Sequence, residues 1–187
     1  MALYNSTVIP AATYVTGNLY PNESRPSTLK KCSDLDKTVR KLLVEKGLLG
    51  KSNTRNIVYL PQEISGLGLK SIRQETEIQY VRKGLYLKLH PEMVDVRLRY
   101  ERLARKGWRN PLTDAESILE KYNIALQDKE ETESLAIYIK KAAQAIAEQQ
   151  QQRRRREWES SIHYARVLRA EKSKITFPAL KDIALED

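Results

Sequence analysis

RNIVYLPQEISGLGLKSIRQETEIQYVRKGLYLKLH, residues 55–90, is the stretch from which the rest of the chain is read. It opens on four residues of strand composition, Ile57-Val58-Tyr59-Leu60, and Pro61 stops that run because it offers no backbone donor. Gly66 and Gly68 stand two apart in Ile64-Ser65-Gly66-Leu67-Gly68-Leu69, a spacing that fits a bend in which at least one glycine has a positive φ. From Ser71 to His90 the apolar period becomes that of a helix, with Ile78, Val81, Leu85 and Leu89 on one face and Pro91 at its end. The predicted unit is a short strand, a turn set by Pro61, Gly66 and Gly68, and a helix.

Upstream, Thr28 to Lys46 predicts a helix. Leu35, Val39, Leu42 and Leu43 share a face, Thr28 or Ser33 can cap it, and Gly47 sits where a C-terminal glycine belongs. Its other face carries Lys30, Lys31, Lys37, Arg40, Lys41 and Lys46. Downstream, Met93, Val96, Tyr100 and Leu103 predict a helix over 92–106, and Thr113 with Glu116 makes a capping box for another through Tyr122. From Lys129 the pattern is helical for up to forty residues, with Leu135, Ile139, Ala142 and Ile146 as its seam. Past Ala147 the sequence EQQQQRRRREWESS is polar all round, as in an arm that crosses solvent or binds a polyanion. The expected architecture is mainly α: a helical bundle with one short strand and turn element and a long C-terminal helix. The segments are 1–28, a bundle over 29–127, a basic helical arm over 128–172 and a tail over 173–187.

The chain has 187 residues and a formal net charge of +9. The excess is blocked: segments 29–55, 70–109 and 153–174 are basic, whereas 110–152 holds four basic and eight acidic residues. Blocks of this sign point first to a polyanionic partner. Cys32 is the only cysteine, which excludes an internal disulfide or a cysteine-based zinc site and leaves it a passive thiol. His90 and His163 are too few and too distant for a metal site. No apolar run approaches a membrane span, and no basic residue precedes Arg25 to open a secretory or transit signal. An intracellular location is expected, with no membrane, cofactor or small-molecule substrate.

The segment Arg55 to Ile72 resembles the thumb of non-LTR retrotransposon reverse transcriptases, where a Leu-Tyr-x-Pro-like strand precedes a Gly-Gly-x-Gly-Leu turn and a helix. Val8-Ile9-Pro10 followed by Tyr14 is similar to the end of the palm. LKKCSDLDKTVRKLL, residues 29–43, is similar to the helix that opens the thumb, with Leu35, Asp36 and Arg40 at matching spacing. Trp158 and Ile162-His163-Tyr164 resemble a Trp and a His-Gly pair beyond it. The likeness is closer over 3–110 than over 111–170, and Ser65 departs from it where the family has the first of two glycines. The catalytic Asp-Asp pair of the palm is missing, since no two aspartates are adjacent anywhere. Asp34 and Asp36 look like helix-start charges. The resemblance therefore implies a non-catalytic module for RNA or an RNA–DNA duplex, most at home in the nucleus. The alternative is a structural subunit of a ribonucleoprotein that docks on other proteins through its long C-terminal helix.

The expected nucleic-acid-binding residues are Lys37, Arg40, Lys41, Arg73, Arg82 and Lys83, with the run Arg153, Arg154, Arg155 and Arg156. Helical residues turn about 100° each, so the four arginines ring their helix, and only Arg153 and Arg156 share a face. The run fits a solvated arm, a nuclear import signal or an RNA-binding helix equally. Trp108 and Trp158 lie beside arginines and can stack on bases, although buried packing anchors are the expected role of both.

Overall fold

The computed structural model describes residues 2–18, 25–50, 55–64, 66–126 and 133–161, and within them the chain is mainly α-helical. A π-helical turn, Tyr4–Val8, runs into α1 (Ile9–Asn18). It is followed by α2 (Arg25–Glu45), α3 (Ile72–Leu89), α4 (Val94–Arg105), α5 (Pro111–Lys121) and the long α6 (Leu135–Glu159).

The bundle is organised around α3, which buries residues on nearly every side, from Ile72 and Thr76 to Tyr80, Val81 and Leu85. A helix covered all round belongs in an interior, and here α1, α2, α5 and α6 all pack against it. Ser71 caps its first turn by accepting from the Gln74 amide, and the chain leaves the helix at His90 before Pro91. At the crossing with α5 a Cβ on Gly84 would lie 2.3 Å from the Ala115 Cβ, so only glycine lets the two helices approach this closely. Leu29 of α2, Ile78 and Leu85 of α3, Ile118 of α5 and Ala142 and Ile146 of α6 close the main core. The seam expected for α6 is therefore present, with Leu135 and Ile139 half-buried at its start.

Four local expectations are corrected. Residues 55–58 form a 3₁₀ turn and not a strand, and no strand occurs among the described residues. The amides of Tyr59 and Leu60 both donate back to the Asn56 carbonyl. The carbonyls of Ile57, Val58 and Leu60 accept from Leu67, Leu69 and Gly68, so the returning glycine turn saturates the run without a partner strand. Its apolar composition reflects complete burial of Val58 and Leu60, a pattern that period alone does not distinguish from strand.

The second correction concerns α2. It starts at Arg25, so Thr28 and Ser33 are interior, and the Ser33 hydroxyl donates to the Leu29 carbonyl. Its covered face is Leu29, Cys32 and Asp36 with half-buried Val39 and Leu43, while Leu35 and Leu42 are about half exposed. An aspartate at a buried position displaced the apparent stripe. Gly47, at φ 72°, does end the helix as expected.

Third, the capping box of α5 lies three residues earlier. The Asn110 side chain accepts from Leu112 and Thr113, and Thr113 Oγ1 accepts from the Asn110 amide. Pro111 at the first helical position, its φ preset, fixes that start. Fourth, the polar half of α6 does not cross solvent. Gln150 and Trp158 are buried at 5% and 6% exposure, continuing at intervals of four the face begun by Ile146.

Candidate functional site

The side of α3 that begins at Arg73 and Gln74 meets α2 and the C-terminal half of α6 around a polar cleft of about 460 Å³. Ser33, Asp36, Lys37 and Arg40 come from α2, and Arg73, Gln74 and Glu77 from α3. Gln150, Arg153, Arg154 and Glu157 come from α6, while Asn56, Tyr59 and the end of α5 fill the corners.

Three carboxylates are set into the wall, and each is occupied by the protein itself. Asp36 accepts from the Ser71 hydroxyl at 2.6 Å, the Ile72 amide at 2.9 Å and the Arg73 amide at 3.3 Å. It caps a neighbouring helix, where its charge meets the positive end of the dipole. Burial nevertheless outweighs those bonds and pushes its pKa up. Glu77 is 1% exposed and accepts from Lys121 Nζ at 2.7 Å and from the Tyr122 hydroxyl. Glu157 takes the Arg153 guanidinium at 3.1 Å and the Asn56 amide at 3.0 Å. Tyr122, held between Glu77 and Gln150, has its pKa raised by burial and by the Glu77 charge.

Arg154 reaches from α6 to Tyr59. Its guanidinium lies 4.4 Å over the Tyr59 ring, donates to the Tyr59 carbonyl and bonds Gln74. Burial pushes its pKa down to about 10, which still leaves it charged at neutral pH. Arg40 differs from these residues: its Nε is buried and has no hydrogen-bond partner. A buried donor left unmade costs about 1–3 kcal/mol. The lining totals six cations, Lys37, Arg40, Arg73, Lys121, Arg153 and Arg154, against three carboxylates.

Five of the ten expected binding residues, Lys37, Arg40, Arg73, Arg153 and Arg154, thus line one cleft. Lys41, Arg82, Arg155 and Arg156 are exposed elsewhere, and Lys83 is half-buried with its pKa lowered by that burial. Arg82 follows Arg73 by nine residues, which turns it to the opposite side of α3. Within the arginine run Arg154 is half-buried and Arg153 sits at the cleft's exposed rim, whereas Arg155 pairs with Glu159 at 2.8 Å. The two tryptophans part company: Trp158 anchors α6 as expected, but Trp108 is 65% exposed and anchors nothing. Asp34 sits on the surface beside Lys37, while Asp36, read as its companion, is structural and buried. No family model, curated protein or solved structure matches the chain.

Lys121, Tyr122, Glu77 and Gln150 were not expected at a site. The signal available was the continuation of Ile146 at intervals of four through Gln150, Arg154 and Trp158, which marks a helix face whatever its polarity. Pro61, Gly66 and Gly68 form the turn behind the cleft. Gly68 has φ 65°, and a Cβ on Gly66 would stand 2.0 Å from the Leu60 carbonyl oxygen. Ser65 lies outside the described residues. Among those residues no group of three or more His, Cys, Asp or Glu could hold a metal ion, and no helix is long and apolar enough to cross a membrane.

Proposed function

We propose that this chain is a non-catalytic module that holds RNA or an RNA–DNA duplex through its phosphates, as its likeness to reverse transcriptase thumbs implies. The observation that carries the reading is the cleft of six cations whose three carboxylates are already bound within the protein. Cations left in excess neutralise phosphate and release counterions, which drives association without reading sequence. Nuclear action follows from the same likeness, and a fluorescent fusion that stays out of nuclei would count against it.

The test is filter binding to structured RNA and to an RNA–DNA hybrid. With six or more phosphates engaged, affinity is expected to fall on the order of a thousandfold between about 50 and 200 mM salt. A flat titration overturns the reading.

A second reading, a subunit held in a ribonucleoprotein by protein contacts, is favoured by α4. That helix buries no residue, and Val94, Val96 and Leu98 are exposed on it, with Trp108 just beyond. Leu98→Ser with Trp108→Ser should then release the chain from its complex while leaving RNA affinity unchanged. Unaltered co-purification of that variant with its complex removes this reading.

A further inference from the structure

We infer that the cleft between α2, α3 and α6 seats the phosphorylated end of a strand, while the rest of that strand or a duplex lies across its mouth. This rests on the nucleic-acid reading above and narrows it to one chemistry, a phosphate monoester.

The volume sets the first limit. A space of about 460 Å³ lies in the range of pockets that enclose one small molecule, roughly 300–1,000 Å³. One nucleotide with its phosphate can enter it, whereas a duplex can only rest across its mouth. Charge sets the second. Six cations and three bound carboxylates line the cleft, and with Lys37 paired to Asp34 outside it an excess of two is left, while a terminal phosphate carries about −1.5 to −2 at neutral pH, more than an internal phosphodiester. The third observation is Arg40. Arg40 lines the cleft, and its Nε is buried without an acceptor, although guanidinium groups favour planar, paired contacts with phosphate oxygens. The neighbouring cations donate to protein carboxylates, hydroxyls, a side-chain amide or a carbonyl, so the unmade bond at Arg40 marks where a further acceptor belongs. Arg73 and Arg153, about half and more than half exposed, flank it and can swing onto the same group.

The same monoester chemistry occurs on free nucleotides and inorganic phosphate, so the experiment separates the sources. Fluorescence anisotropy of the intact chain compares one short single-stranded RNA carrying a 5′-phosphate, a 3′-phosphate or hydroxyls at both ends, with a blunt hydroxyl-ended duplex as control. A phosphate at one end or the other is expected to tighten binding about tenfold, in line with one added charge-assisted pair. A mononucleotide or inorganic phosphate should compete only at far higher concentration. Arg40→Gln should abolish the end preference, so that phosphorylated and hydroxyl-ended strands bind this variant alike. Should that variant melt early, Arg153→Gln, on the exposed rim, should reduce the preference by itself. Equal affinity for phosphorylated and hydroxyl ends overturns the inference while salt-dependent binding of all the strands keeps the wider reading. An end preference that survives both variants, or full competition by inorganic phosphate, also overturns it. Absence of any nucleic-acid binding sinks both.

Discussion

Asp36 is a carboxylate that holds two helices together. Removing it leaves the Ile72 and Arg73 amides and the Ser71 hydroxyl without an acceptor at a buried helix start. Asp36→Ala should therefore cost about 3 kcal/mol, read as a lowered denaturant midpoint. Asp36→Asn should cost much less. Burial raises the Asp36 pKa, so its protonated form is favoured more in the folded chain than in the unfolded one. That contribution is present below the unfolded pKa and lost as pH rises through the folded one, which means that at neutral pH the charge itself adds little. If the two variants melt alike, the cap is electrostatic and this account is wrong. The glycine turn gives a second ordering. Gly68→Ala meets only the Gln62 side chain at 3.5 Å and carries the left-handed cost of about 1–2 kcal/mol. Gly66→Ala drives a methyl into the Leu60 carbonyl and should destabilise more, at least about 3 kcal/mol. A Gly66 variant that melts above the Gly68 variant would contradict the geometry. The sequence exposed the need for a positive φ in this turn, but the closer constraint at Gly66 depends on where Leu60 lies and has no local signature.

At the scale of elements, most helices were legible, but α1, which carries Pro10 and Gly17, was not, and helix faces were legible only where they are apolar. The α3 stripe and the α6 seam are apolar, so their period shows. In α2 an aspartate and a cysteine stand on the covered face, and hydrophobicity selected Leu35 and Leu42 in their place. The polar end of α6 misled for the same reason, because Gln150 and Arg154 are covered by polar neighbours that compensate them. Trp158 tests whether that end is anchored. Trp158→Ala should cost about 3–5 kcal/mol, the usual range for an emptied aromatic site. It should also weaken RNA binding, because the helix that carries Arg153 and Arg154 loses its fixed position. A variant that is destabilised yet binds fully would show that the α6 wall is dispensable.

For the whole molecule, buried tyrosines predict an alkaline limit. Burial raises Tyr4 to about 12 and raises Tyr59 and Tyr122 further. A phenol whose folded pKa lies above its unfolded value, near 10, contributes stability that is complete below about pH 10 and is lost as pH climbs towards the folded pKa. Each such group removes at most about 1.4 kcal/mol per pH unit in that window. Denaturation midpoints should therefore hold from neutral to about pH 9 and fall steeply above about pH 10, and Tyr59→Phe should soften the fall. A midpoint that is flat through the alkaline range would mean that the phenols are wetter than their packing implies. The association of α6 with the 3₁₀ turn joins Asn56 to Glu157 and Tyr59 to Arg154 across about a hundred residues of chain. On a ribosome, where chains emerge at roughly 5–20 residues per second, α2 and α3 are out for some seconds before the arginines that complete the cleft exist. On the function proposed above, a nascent chain therefore lacks Arg153 and Arg154, and with them one wall of the cleft, until α6 has emerged.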